Sequence, residues 1–81
     1  MNKDLLNELM HLSNEQIEAM DYTTSRKTLI QIPNLHTELA LEYINASEER
    51  QQEIFKQIDK LRFINKCLFR KLGYVALSKH L

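Results

Sequence analysis

The side chains that could do chemistry in this sequence are few and scattered. Cys67, the single cysteine, follows Lys66 and precedes Arg70 by three residues, and nearby cations favour a reactive thiolate. A thiolate nucleophile needs a base, and no histidine stands at local spacing. A cysteine in such a setting is more commonly a small buried hydrophobe. His11 and Glu15 are four residues apart and share a helix face, but two such ligands do not make a metal site. His36 and Glu38 point to different sides of a helix, and His80 stands far from both other histidines. With Gly73 as the one glycine, no Gly-rich loop can cradle a phosphate. The expectation is a non-enzymatic protein with no metal and no cofactor.

The chemistry of recognition is better represented. From Ile54 onward, apolar residues fall at alternating steps of four and three: Ile54, Ile58, Leu61, then Asn65, then Leu68, Leu72 and Val75. This is a helical seam broken once by an amide. Asn65 on such a seam costs stability and fixes register, so Asn65 with Leu61, Leu68 and Leu72 is read as a register or dimer set. Phe55 and Phe69 are expected to widen the seam, while Phe63, Ile64, Cys67 and Tyr74 lie away from it. A helix apolar on so many sides needs more cover than a small domain supplies. The surplus predicts a partner-binding surface formed by Phe63, Cys67, Phe69 and Tyr74, with Arg62, Lys66 and Arg70 steering the charge of an amphipathic, somewhat acidic helix. A homodimer using the same surface is the alternative. Lys56, Lys60, Arg70 and Lys71 could meet phosphates, but the chain is neutral overall, and a dedicated nucleic-acid binder tends to be basic.

Helices must position these residues. One Gly and one Pro in 81 residues leave little turn chemistry, and helix formers dominate. The spacing predicts a first helix over 3–20, with Leu5, Leu9 and Leu12 in line and Leu6, Met10, Ile17 and Met20 beside them. Ser13-Asn14-Glu15-Gln16 reads as a capping box that could open a new helix; one continuous helix is the expectation. Asp21, Thr23 and Thr24 can cap a second helix over 24–45, kinked near Pro33, which removes a backbone hydrogen bond and crowds the preceding turn. Ser47, followed by Glu48 and Glu49, starts a third helix over 48–72, closed by Gly73 in a left-handed cap, with 73–81 as a tail. The fold expected is all-α: a single domain over 1–81, a three-helix antiparallel bundle with a long C-terminal helix, able to dimerise.

Composition bounds the rest. A single cysteine cannot form an intrachain disulfide and fits a reducing compartment. No run of apolar residues is long enough to span a membrane, and the polar start is not a secretory signal, so a cytoplasmic protein is expected. Charge is divided along the chain. Residues 1–49 carry three Lys or Arg against nine acids, and residues 50–81 carry eight against two. Antiparallel packing would bring the two parts together, and the basic end could also face an acidic partner.

The layout resembles the FliT-like flagellar export chaperones over most of residues 5–72. The matching features are the early Leu-rich helix, Met20-Asp21-Tyr22 before the second helix, and Ser47-Glu48-Glu49 at the start of a long one. The chain departs from that pattern with Pro33 and His36 in its second helix, where the family tends to carry Glu and Arg. The resemblance implies a small cytosolic protein that holds an export substrate, whose amphipathic helix would dock on the apolar surface of the third helix.

Overall fold

The computed structural model describes residues 2–80, with side chains for residues 2–73. Every element among them is helical: α1 (Lys3–Met10), α2 (Asn14–Ala19), α3 (Tyr22–Ile44) and α4 (Glu48–His80). The bundle is all-α, as its sequence predicts.

The first leg is two helices rather than one over 3–20. His11 leaves the helical conformation at the end of α1, and Ser13 then closes a capping box. Its hydroxyl accepts from Gln16 N at 3.1 Å while its own N–H donates to Gln16 Oε1 at 2.9 Å. These bonds satisfy backbone groups that a continuous helix would have paired internally. Leu12 and Ile17 occupy the two staple positions around this cap, and both pack into the core.

The second leg starts earlier than its predicted 24. Asp21 caps α3, with its carboxylate accepting from Thr24 N at 2.6 Å. That bond, together with the Thr24 hydroxyl, holds the Asp21 carboxyl below its ordinary value of 3.8. Pro33 lies inside α3 and does not end it; the helix runs on to Ile44. The third leg also outruns its predicted end at 72. Gly73 is helical and has no positive φ, so it is not a left-handed cap, and the expected 73–81 tail continues α4 to His80. At about 1.5 Å per residue, α4 is long enough to span the 50 Å long axis of the molecule.

α3 and α4 form an antiparallel hairpin. Arg50 in the first turns of α4 forks onto Glu42 near the end of α3, with Nη2 to Oε1 at 3.1 Å, and also donates to Glu53 and Gln57. The guanidinium hydrogen bonds hold the Glu42 carboxyl below its usual range. α1 and α2 run back along one flank of this hairpin, parallel to α4, and two lysines of α4 pin them. Lys60 Nζ donates to Leu12 O at 2.7 Å. Lys71 Nζ donates to Glu18 O at 2.7 Å, to Ile17 O at 3.4 Å and to Met20 O. Carbonyls at a helix C-terminus lack intrahelical donors, and an ammonium there satisfies them and the helix dipole together. Lys60 and Lys71 are eleven residues apart, three helical turns, so both reach from the same side of α4.

The core runs along the three-legged junction. Leu6, Leu9 and Ile17 come from the first leg, Ile32, Leu35 and Leu39 from α3, and Ile54, Leu61, Ile64 and Leu68 from α4. Ile64, expected away from the seam, is fully buried, while Asn65 is only half-buried. The reason is that α4 is covered on two sides, by α3 and by α1–α2. The buried arc is therefore centred between them, and a straight helix drifts away from a strict seven-residue repeat. Phe55 and Phe69 do not widen the seam; both are exposed. Val75 and the side chain of Tyr74 lie outside the described side chains.

Candidate functional site

Because α1 and α2 cover only one flank of the α3–α4 hairpin, the opposite flank is open. Two lines of side chains run along it. On α3, Pro33, His36 and Thr37 face it, with Tyr43 two turns beyond His36; Ile30, Leu41 and Ile44 are exposed on the side of α3 turned away from its core line of Ile32, Leu35 and Leu39. On α4, Phe55, Arg62 and Phe69 are spaced by seven, two helical turns, and are exposed as well. The apolar members on α4 stand far out of the core: Phe55 is 62% exposed and Phe69 71%. Scattered exposed apolar residues are ordinary; aromatic rings in line along one flank suit contact with a partner.

A groove of about 580 Å³ lies at the middle of this flank. Its α3 wall is Ile32, Pro33, His36 and Thr37; its α4 wall is Arg62, Phe63, Asn65 and Lys66. No residue of α1 or α2 lines it. Ile32 and the Pro33 ring supply the apolar part of the α3 wall, and His36 and Thr37 its polar part. Arg62 and Lys66 are exposed, and neither has an ion pair among the described residues. Towards one end, Tyr43 stands beside Gln51 and Phe55. Towards the other, Tyr22 and Arg26 gather, with the Arg26 guanidinium 5.8 Å from the Tyr22 ring centre.

The expected site residues separate in this geometry. Arg62, Phe63 and Lys66 come together in the groove wall, and Phe69 continues the same flank two turns beyond Arg62. Phe63 also lies 5.9 Å from Lys60 Nζ, measured to the ring centre. Arg70 is exposed at the margin. Cys67 turns the other way and packs, half-buried, against the core. Leu61 and Leu68, read as a register or dimer pair, are fully enclosed within the single chain, where a second copy cannot reach them. Leu72 is half-buried, and Asn65 lines the groove rather than a closed seam. Of the four cations considered for phosphate contact, Lys60 and Lys71 are engaged with backbone carbonyls of the first leg.

Sequence reasoning centred on α4 missed the contribution of α3. Pro33, His36, Thr37 and Tyr43 supply the other half of the surface, on the side of α3 next to the core line of Ile32, Leu35 and Leu39. Among the described residues, no three His, Cys, Asp or Glu side chains gather closely enough to hold a metal ion. No helix among them is long and apolar enough to cross a membrane. No family model, no curated protein and no solved structure matches this chain.

Proposed function

We propose that the protein is a non-enzymatic helical binding module that holds an amphipathic helix of a protein partner along the open flank of α3 and α4. The observation that carries this reading is the open groove between α3 and α4, with Phe55 and Phe69 exposed in line along its α4 side and Pro33, His36 and Tyr43 along its α3 side. A helix laid there would complete a four-legged bundle, with apolar residues at three- and four-residue steps entering the groove. The role is chaperone- or regulator-like: the module shields the apolar face of its partner. The resemblance to FliT-like export chaperones makes a flagellar or other secretion substrate the candidate client, and the reading places the protein in the cytoplasm. Of Lys56, Lys60, Arg70 and Lys71, the cations weighed for phosphate contact, Lys60 and Lys71 are engaged with backbone carbonyls.

A second reading has the same flank meeting that of a second copy in a homodimer, favoured by the extent of exposed apolar surface. One experiment separates them. A photo-crosslinking residue is placed at His36, Phe55 or Phe69 in the source cells, and at Glu18 on α2 as a control. The helix-binding reading expects a common heterologous product from the first three sites and not from the control. A product at twice 9.6 kDa identifies the dimer. Equal labelling from all four sites rejects both.

A further inference from the structure

The open flank is not uniform: the charged residues that line its groove, Arg62 and Lys66, are both cations, and Asp59, one turn before Arg62, is outside that lining. Between Tyr22 and Ile44, the acids of α3 are Glu38 and Glu42. Glu42 faces Arg50 and the first leg, and Glu38 lies with Asn2 and Leu5 of the same leg. The open side of α3 therefore carries Arg26 and His36 with no carboxylate. On α4, the stretch from Phe55 to Phe69 holds one acid, Asp59, against Arg62 and Lys66 on the groove wall. The order along the flank is apolar, basic, apolar: Tyr43 and Phe55 at one end, Arg62 and Lys66 at the centre, Phe69 at the other.

We propose that the helix this flank takes carries two apolar anchors about four turns apart, with carboxylates between them that meet Arg62 and Lys66. Phe55 and Phe69 are fourteen residues apart, about 21 Å along α4, which fixes the anchor spacing. Guanidinium and ammonium groups on an apolar wall are partly desolvated when a helix covers them, so an unpaired cation there costs binding and a paired one gains it. The same pattern disfavours a second copy. A two-fold axis through the middle of the flank would set Arg62 and Lys66 of one chain against those of the other. This inference rests on the helix-binding reading and adds the charge pattern of the partner.

Three eighteen-residue helical peptides test it. All share the same two apolar anchor clusters, and the positions between them hold Glu, Gln or Lys. Binding to the full chain is followed by fluorescence anisotropy at low ionic strength, and the mass of the chain alone by sedimentation equilibrium. The Glu peptide is expected to bind about tenfold more tightly than the Gln peptide, and the Lys peptide more weakly than either. Arg62→Gln with Lys66→Gln should collapse the difference, whereas Lys56→Gln, outside the groove lining, should not. Equal affinity for the Glu and Gln peptides overturns the charge pattern and leaves the helix-binding reading intact. No binding by any peptide to a monomeric chain counts against that reading itself. A mass of twice 9.6 kDa that persists on dilution seats a second copy on the flank and overturns the proposal.

Discussion

Two α3 hydroxyls and two α4 side chains illustrate how local contacts divide stability from recognition. Thr28, buried on the inner side of α3, donates its hydroxyl to Thr24 O at 2.8 Å. Ser25, one turn earlier and fully buried, has an Oγ with no hydrogen-bond partner. A buried unpaired hydroxyl costs about 1–3 kcal/mol, and alanine is also the better helix former. Ser25→Ala is therefore expected to raise stability by about 1 kcal/mol, read as a higher urea midpoint at unchanged slope. The two α4 positions behave oppositely. Ile64→Ala removes a fully enclosed side chain and should cost about 3 kcal/mol, whereas Phe69→Ala, largely exposed, should shift stability by less than about 0.5 kcal/mol while weakening partner binding. Equal losses from the two in urea titration would return Phe69 to the core. Periodicity alone placed Leu61 and Leu68 correctly inside but assigned Ile64 outside. A single helix cannot tell how many neighbours will cover it.

At the scale of elements, the first leg is the part most dependent on contacts from elsewhere in the chain. Six- and eight-residue helices such as α2 and α1 are too short to persist alone in water. They are held by the capping box at Ser13, the core contacts of Leu6, Leu9 and Ile17, and the ammonium groups of Lys60 and Lys71. Lys71→Met retains the apolar stem and removes the donor to the end of α2. It should cost about 1–2 kcal/mol and speed amide exchange in residues 14–20 before the rest of the bundle. Uniform exchange across all helices would show that the lysine bonds do not hold the leg separately. The capping box was legible in the sequence as an alternative start, because Ser13 and Gln16 carry it at a fixed spacing. The lysine clasps were not, since each donor is about fifty residues from its acceptor, 48 for Lys60 and 51 to 54 for Lys71.

At the scale of the whole molecule, two carboxylates link stability to pH. Asp21 is held below its ordinary 3.8 by the Thr24 bonds, and Glu42 below its ordinary 4.5 by Arg50. A depressed carboxyl stabilises the fold above its unfolded value and loses that contribution as pH falls through the folded one. Stability should thus be flat from neutral pH to about 5 and fall progressively below about 4. Asp21→Asn with Glu42→Gln should flatten that acid limb in thermal melts taken across the range, and an unchanged limb would assign acid sensitivity to other groups. The all-α class, the start of α4 and the excess of apolar helix surface were legible in the sequence, because they follow from composition, caps and period; the end of α4 was not, since Gly73 stays helical. The tertiary structure alone decided which surface stays open. That choice depends on which flank of the α3–α4 hairpin the short first leg covers, and it is made by contacts between residues far apart in the chain. By covering the flank of Lys60 and Lys71, the first leg leaves Pro33, Tyr43, Phe55 and Phe69 along the opposite flank, with Arg62 and Lys66 between its ends.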